Sequence, residues 1–376
     1  MTPLSPIDHF TRYKSTPRFA SLDGLRFLCI AAVLWHHSPM LHEWGAVLFS
    51  RGHLGVHMFF VLSGFLITTL LLREEEQHGR FSLPAFFWRR ALRILPVYLL
   101  VVTVAAAYDI VLRGNTDNLA LLPYYYLFLS NFIAGTDIGF LAPTWSLAVE
   151  EQYYLIWPLI LLLVPRRWIV PVLLGLIALN VAGAMGAFGT LPFGPLALGL
   201  YIPTYAPILM GSLVAILLHG RAGFHALYRL AGFAHAPLVW LGLLVLASAV
   251  LPRELSGAQN LLLHVLMCLW LAALVVREDH VMAPALTLPP IARIGQISYG
   301  IYLYHLFALA VAYQVTDLFG LSQTAWILPL MAALSIVMAE ISFRTYEAWF
   351  MGLRDAKPGR TKPRELPKLE PHTARA

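Results

Sequence analysis

Residues 22–37 read LDGLRFLCIAAVLWHH, an apolar stretch that nevertheless contains an acid, a guanidinium and two imidazoles. Its length is close to the about 20 residues that a helix needs to cross a bilayer. Ionisable groups are costly in such a helix, and those that occur usually face a bundle interior or a polar cavity. The stretch therefore predicts a transmembrane helix that turns its charged groups toward the inside of a helix bundle.

The composition of the whole chain also indicates membrane insertion. Of the 376 residues, 59% are hydrophobic and 12% are charged, which is outside the balance of soluble domains. The net charge of +6 would suggest a nucleic-acid partner in a soluble protein, but here most Lys and Arg residues fall in alternate loops, as in inserted proteins. We therefore predict a multi-pass protein whose partner is the lipid bilayer, with no nucleic acid.

We predict an all-α fold, a polytopic transmembrane helix bundle of about ten spanning helices. The predicted spans are 22–41, 54–72, 94–112, 145–164, 168–187, 199–218, 235–252, 258–276, 295–316 and 324–344. Residues 119–134 form a further apolar patch, but Pro123 and a tyrosine cluster favour one extra re-entrant or interfacial segment over a crossing.

The arginines predict how the bundle is oriented. An N-terminus in the cytoplasm leaves only Arg51, Arg113 and Arg253 on the opposite face, so the positive-inside rule places both termini in the cytoplasm. Three regions follow. They are a cytoplasmic N-terminal segment (1–20), a transmembrane domain (21–350) and a basic, disordered cytoplasmic tail (351–376), whose composition cannot bury enough apolar surface to fold.

Arg26 and His37 share one face of the first helix. Eleven residues bring the two side chains within about 20° of each other around the axis and about 16 Å apart along it. Asp23 is placed three residues before Arg26 and can pair with it. Snorkelling to the interface would explain the arginine alone, whereas two titratable groups on one stripe favour a functional site. An imidazole also suits proton transfer near neutral pH.

Arg90 and Arg93 are spaced to share a helix face after the second span. Such a cluster alone is typical of a stop-transfer flank, but it could also bind phosphates at the mouth of a cavity. Glu150 and Glu151 fall in the first turns of the fourth span, where the helix dipole favours negative charge. Neither cluster decides a function alone, and what matters is that they occur in this order after the first helix.

The last two spans contain further candidates. Tyr302 and His305 lie in the ninth span, where a packed core histidine and a site histidine are both compatible with the sequence. In the tenth span, Glu340, Arg344 and Glu347 are spaced four and three residues apart, which predicts an ion-pair ladder. Neither Cys29 nor Cys268 lies in a metal-ligand pattern, and no HExxH motif occurs, so no metal site is expected.

Five motifs in this order resemble the membrane acyltransferase-3 family, which includes O-antigen and exopolysaccharide O-acetylases. They are LDGLR with a histidine eleven residues after its arginine, GVHMFFVLSGFLI, RRALRILPVY, TWSLAVEEQYYLIWPL and SYGIYLYH. The resemblance runs from about Ser21 to about Phe350. The family often has Asp where this chain has His57, and proline where it has Trp349.

The resemblance implies transfer of an acyl group, most simply acetyl, from cytoplasmic acyl-CoA to a hydroxyl of a cell-surface carbohydrate or glycolipid. It also implies a multi-pass protein of the bacterial cytoplasmic (inner) membrane. Acyl-CoA, in particular acetyl-CoA, is the donor substrate, so no permanently bound cofactor is expected. The family's motifs and the residues above assign three groups. These are catalytic His37, Arg26 and Glu347; donor-binding Arg90, Arg93 and Arg26; and substrate-binding Trp145, Glu150, Tyr302 and His305.

The residues suggest how such a transfer would work. Arginines at the inner end would hold the phosphates, the pantetheine arm would extend along the first helix, and His37 would deprotonate the acceptor. An acyl-histidine intermediate is the other mechanism. The alternative function is a membrane transporter of a small solute or lipid-linked sugar, which also needs charge inside the membrane.

Overall fold

The computed structural model describes residues 6–39, 49–135, 137–198, 205–252, 254–321 and 323–353, and these residues are mostly helical. The α-helices are α1 (Pro6–Ser15), α2 (Ser21–His37), α3 (Leu54–His78), α4 (Leu83–Ala107), α5 (Leu122–Tyr126), α6 (Thr144–Leu163), α7 (Arg166–Ala184), α8 (Tyr205–His219), α9 (Arg221–Ala231), α10 (Ala236–Val250), α11 (Gly257–Val275), α12 (Ala283–Leu286), α13 (Pro289–Gln296), α14 (Ser298–Leu318), α15 (Gln323–Ser342) and α16 (Ala348–Leu353). Two π-helical turns continue α4 (Tyr108–Leu112) and join α15 to α16 (Phe343–Glu347). The helical fold class is confirmed.

Each of the ten predicted spans overlaps an α-helix, and residues 40–41 and 199–204 of these spans lie outside the described residues. Among the described residues, five helices are long and apolar enough to cross a membrane, or up to seven if each of two bent helix pairs counts as one span. Helices α2 and α10 have 17 and 15 residues, fewer than the 18 that a spanning helix is required to have here. Helix α6 contains the polar run EEQYY. A multi-pass architecture is therefore supported, while the number of ten crossings stays a prediction.

Apolar side chains on the outside of the bundle fit a lipid environment. Val111, Leu163 and Leu318 are 75%, 75% and 80% exposed. Large exposed apolar surfaces are unfavourable in water and mark contact with a membrane or a partner. A bilayer covers such a surface on all sides of a helix bundle.

Close glycine contacts hold the helices that build the site. A Cβ at Gly64 of α3 would collide with the carbonyl oxygen of Ile208 in α8, and one at Gly211 of α8 would collide with that of Val61 in α3. Small residues let membrane helices approach to backbone contact. The two glycines thus fix α3 against α8 and place the polar groups of α3 in the bundle interior.

The helix pair α13–α14 is bent by 76°, and its short arm packs against the start of α2. A Cβ at Gly295 of α13 would collide with the carbonyl oxygen of Asp23. The contact places the end of α13 directly beside the acid of the first helix. The bend thereby carries α14 into the bundle with its tyrosines near α2.

The apolar patch at 119–134 consists of short turns. It contains the 3-10 turns Thr116–Leu121 and Ser130–Phe132 on either side of α5, so no single crossing helix forms there, and its re-entrant or interfacial placement stays a prediction. Strands β1 (Leu191–Phe193) and β2 (Leu196–Leu198) form an antiparallel hairpin, a small departure from an all-α fold.

The first residues of the predicted tail, 351–353, belong to helix α16. Residues 354–376 of the predicted tail and residues 1–5 of the predicted N-terminal segment lie outside the described residues. Within that segment, residues 6–15 form α1.

Candidate active site

A cavity of about 300 Å³ lies at one end of the bundle, among α2, α3, α4, α6, α13 and α14. Its charged lining consists of Arg18, Arg26, Arg73, Arg90, Arg93, Asp23 and Glu150. Five guanidinium groups thus face two carboxylates, so the cavity is three formal charges positive. Such a cavity suits a negatively charged ligand, because arginine binds phosphate and carboxylate oxygens through paired N–H groups.

Arg26 lies at the cavity wall and is paired as the spacing predicted. Its Nη1 donates to Asp23 Oδ1 at 3.1 Å. The other carboxylate oxygen of Asp23 accepts from Arg18 and, at 3.3 Å, from Gln296 Nε2. Asp23 is 5% exposed, so three donors hold a buried acid that in turn fixes the Arg26 guanidinium.

Arg90 and Arg93 line the same cavity, and neither makes a hydrogen bond or an ion pair with any part of the chain that the structure describes. Arg90 is half-buried, with its guanidinium 5.5 Å from the centre of the Tyr154 ring, and Arg93 is exposed. Their neighbour Arg89 instead pairs with Glu74 at 2.9 Å. Two arginines without an ion pair in the described chain, both lining one cavity, are a feature expected of an anion-binding site.

Glu150 also lines the cavity, where α3 and α6 supply its hydrogen bonds. Its Oε1 accepts from Ser63 Oγ at 2.8 Å, and its Oε2 accepts from the Tyr154 hydroxyl at 3.1 Å. The neighbouring Glu151 does not line the cavity. The two carboxylates that the sequence groups together therefore separate, and only the first belongs to the site.

Tyr302 connects the cavity wall to the predicted catalytic histidine through His305. Its hydroxyl donates to the carbonyl oxygen of Pro143 at 2.9 Å and lies 2.7 Å from Ser146 Oγ. Its ring centre is 5.6 Å from that of His305, whose ring centre is 4.7 Å from that of His37. The order from the cavity outward is thus Tyr302, His305, His37.

Both of these histidines are held in one tautomer by backbone. His37 Nδ1 donates to the carbonyl oxygen of Val33 at 3.0 Å, and His305 Nδ1 donates to that of Tyr302 at 2.5 Å. Each neutral ring therefore carries its lone pair on Nε2, the atom that can accept a proton. Neither ring lines the cavity, so the structure places His37 beyond Tyr302 and not in a single open passage with Arg26.

Trp145 and Glu347 lie outside the cavity lining. Trp145 contacts the cavity wall indirectly, since its ring centre is 6.0 Å from that of Phe60. Glu347 Oε1 accepts from Ser342 Oγ at 3.0 Å. The structure therefore brings Arg26, Arg90, Arg93, Glu150 and Tyr302 to one cavity and leaves these two apart from it.

The predicted ladder at the end of the tenth span forms only in part. Arg344 pairs with Glu340 at 2.5 Å, and Arg293 reaches the same carboxylate at 2.8 Å. Glu347 has no cation within 4 Å in the described chain, so its place in the ladder is wrong. The π-helical turn Phe343–Glu347 contains more residues per turn than an α-helix. Glu347 therefore does not lie one α-helical turn from Arg344, as the predicted ladder requires.

Many cavity residues had no part in the predicted site. Among them, Ser63, Ser146 and Gln296 supply polar atoms, and Arg18 and Arg73 add cations. The two serines and the glutamine lie within or beside the motifs that resemble the acyltransferase family. The sequence could have pointed to them only as single polar side chains among apolar residues. No group of three or more His, Cys, Asp or Glu side chains with metal-binding geometry occurs in the part of the chain that the structure describes.

Comparisons with known proteins give a consistent result. The model of the acyltransferase domain family matches residues 19–341. The chain is 27% identical to the peptidoglycan O-acetyltransferase OatA of Listeria monocytogenes serovar 1/2a, across 92% of this chain and 59% of that protein. It is 26% identical to the O-acetyltransferase OatA of Staphylococcus aureus strain NCTC 8325, across 88% of this chain and 57% of that protein.

A shorter match, at 33% identity, links 40% of the chain to 26% of a putative O-acetyltransferase of Staphylococcus aureus strain COL. The chain therefore spans less than two thirds of the length of these curated relatives. No solved structure is significantly similar to it.

Proposed function

Because this chain belongs to the acyltransferase domain family, whose model matches residues 19–341, we propose that it is an integral membrane O-acyltransferase. It transfers an acetyl group from cytoplasmic acetyl-CoA to a hydroxyl of a cell-surface carbohydrate. The relatives named as peptidoglycan and other O-acetyltransferases favour an acetyl group and a glycan acceptor. We place the protein in the bacterial cytoplasmic membrane, with ten crossings and both termini inside.

One observation carries the proposal: the cavity lined by Arg26, Arg90 and Arg93 holds five arginines against two carboxylates. Such an excess of positive charge favours an anionic ligand, because arginine binds phosphate oxygens through charge-assisted hydrogen bonds. The phosphates of coenzyme A supply such anions. The reactive thioester would then extend past Tyr302 toward His37.

The proposed reaction is a direct transfer. His37 Nε2 takes the proton of the acceptor hydroxyl, the oxygen attacks the thioester carbonyl carbon, and the carbon–sulfur bond breaks. The coenzyme A thiolate leaves toward the cationic cavity. Recovery of a labelled acetyl group on His37 would replace this scheme by an acyl-enzyme mechanism.

The first prediction concerns donor binding. Arg90→Ala and Arg93→Ala should each raise the dissociation constant of acetyl-CoA about tenfold or more, because a charge-assisted hydrogen bond contributes about 1.5–3 kcal/mol. The measurement is acetyl-CoA binding to the purified protein in lipid nanodiscs. Arg89→Ala is the matched control, since Arg89 already pairs with Glu74 and should leave binding unchanged.

Unchanged affinity in both variants would remove the arginines from the donor site. The same preparation distinguishes an enzyme from a transporter, because only an enzyme converts acetyl-CoA to free coenzyme A when an N-acetylglucosamine oligosaccharide is supplied. The relatives reported above are all named as acetyltransferases, so none supports the transporter alternative.

A further inference from the structure

Arg18 is a cation of the cavity that the proposed reaction does not use. It lies in the short segment between α1 and α2, and its side chain lines the cavity together with that of Arg26. Its guanidinium pairs with Asp23 through one Nη atom. No other hydrogen bond of this side chain occurs within the described residues, so most of its five N–H donors are free to bind a ligand.

Asp23 joins Arg18 to Arg26. Its Oδ2 accepts a hydrogen bond from Arg18, and its Oδ1 accepts one from Arg26 Nη1 at 3.1 Å. One carboxylate therefore lies between the two guanidinium groups and sets their separation at about its own width plus two hydrogen bonds. Because Asp23 neutralises only one of the two cations, the group keeps a positive charge and can bind anions at two neighbouring points.

The two arginines lie at different depths. The side chain of Arg18 is 65% exposed, whereas that of Arg26 is 24% exposed. Arg18 precedes the first residue of α2, while Arg26 is in the second turn of this helix, which ends at His37. Arg18 is therefore at the outer end of the cavity, and Arg26 is farther in.

The backbone on both sides of Arg18 is fixed by packing. Arg73 donates to the carbonyl oxygens of Tyr13 and Thr16, at 2.8 and 2.6 Å, and thereby holds the end of α1. Phe19 is 5% exposed, and its ring centre is 5.4 Å from that of Tyr13. A charged side chain on a fixed backbone loses less conformational entropy when it binds a ligand.

Coenzyme A carries phosphate at two places on one ribose. Its 5′ oxygen bears the diphosphate that continues into the pantetheine arm, and its 3′ oxygen bears a separate monophosphate. The two are as far apart as neighbouring phosphates of a nucleic-acid strand, a spacing that two guanidinium groups on either side of one carboxylate can match. In the proposed function the thioester points toward His37, so the 3′-phosphate belongs at the outer end of the cavity.

We propose that Arg18 binds the 3′-phosphate of the donor. The inference rests on the proposed function, because it takes acetyl-CoA as the donor. The diphosphate then lies farther in, with Arg26 and the two cavity arginines of α4. Asp23 binds no ligand and positions Arg18 beside Arg26. The protein thereby distinguishes coenzyme A esters from their 3′-dephospho forms.

An ion pair that only fastens the segment before α2 would also explain the contact between Arg18 and Asp23. The two roles differ in what they predict for a donor without the 3′-phosphate. A fastening role affects every donor equally, whereas a binding role affects only a donor that carries this phosphate. A cycle that combines one protein change with one ligand change therefore separates them.

The test measures binding of acetyl-CoA and of 3′-dephospho-acetyl-CoA to the purified protein in lipid nanodiscs. Wild type should bind the dephospho donor at least about tenfold more weakly, because a charge-assisted hydrogen bond is lost. Arg18→Gln, which keeps an N–H donor for Asp23, should weaken acetyl-CoA binding to the same extent and leave binding of the dephospho donor within about twofold of wild type.

Two further variants calibrate the comparison. Arg12→Gln should match wild type with both donors, because Arg12 of α1 pairs with Glu278 at 3.6 Å and does not line the cavity. Arg90→Ala should weaken both donors alike, because each of them carries the diphosphate.

Three results overturn the proposal. They are equal affinity of wild type for the two donors, equal losses for both donors in Arg18→Gln, and unchanged acetyl-CoA affinity in that variant. Binding does not require turnover, so the cycle is decided even if the protein transfers no acetyl group, the result that would remove the proposed function. A wild-type protein that binds neither donor overturns both.

Discussion

At the scale of single residues, the cavity separates arginines that look alike in the sequence. Arg89, Arg90 and Arg93 all belong to one basic motif, yet Arg89 forms an ion pair with Glu74, whereas the other two line the cavity without an ion pair among the described residues. The same holds for the acids, because Glu150 is in the site and Glu151 is not. Helical phase determines these differences, since each step of one residue turns a side chain by 100°.

His37 is the residue whose replacement should affect the chemical step most. His37→Gln keeps a polar side chain of similar length but removes the group that accepts a proton. We expect the catalytic rate constant to fall about 10²–10⁴-fold, the usual contribution of a positioned base. The Michaelis constant for acetyl-CoA should change little, because the donor arginines lie at the other end of α2.

Steady-state kinetics of acetyl transfer in nanodiscs measure both constants. His78→Gln, at an exposed histidine that ends α3, serves as the control for a histidine away from the site. A His37→Gln protein that keeps more than about a tenth of the wild-type rate constant would exclude His37 as the base.

At the scale of helices, two glycines determine how closely α3 and α8 approach. Gly211→Ala should destabilise the protein by about 1–3 kcal/mol, because the added methyl collides with the carbonyl oxygen of Val61. Gly175→Ala in α7 should have the opposite sign. No atom lies within 4 Å of a Cβ at that position, and alanine favours a helix over glycine by about 1 kcal/mol.

Thermal unfolding of the two variants in the same detergent compares them directly. A Gly211→Ala protein as stable as Gly175→Ala would show that the helices can separate without cost. The site would then not depend on this contact, although Ser63, next to Gly64, supplies a hydrogen bond to Glu150.

At the scale of the whole molecule, a buried histidine outside the spans links stability to pH. His280 is 2% exposed, and its Nε2 lies 3.1 Å from Ser21 Oγ at the start of α2. Burial lowers the pKa of His280 from 6.5 to about 4, against the opposing effect of Asp279. Between these values the unfolded chain binds a proton that the folded protein does not.

Stability should therefore fall as the pH drops from about 6.5 to about 4, with at most about 3 kcal/mol from this residue. Above pH 6.5 the ring is neutral in both states and contributes no slope. His280→Gln should show a shallower loss of thermal stability over the same window than wild type. Identical pH profiles for the two proteins would contradict a buried neutral His280.

Much of the molecule is encoded locally. Apolar runs of helical length predict a helix at each of the ten positions where one forms, because a helix satisfies its own backbone hydrogen bonds within the segment. The three-residue spacing of Asp23 and Arg26 likewise predicts the contact found at 3.1 Å. Residues a turn apart on one helix meet whatever surrounds them.

Contacts between distant segments were decided only by the tertiary structure. The π-helical turn moved Glu347 out of its predicted ladder, and the bend at α13–α14 brought Gln296 to Asp23. His37 of α2 meets His305 of α14, with ring centres 4.7 Å apart. Spacing along a sequence sets direction within one helix, but which side chains meet across helices depends on how those helices pack, and here glycines and a bend set that packing.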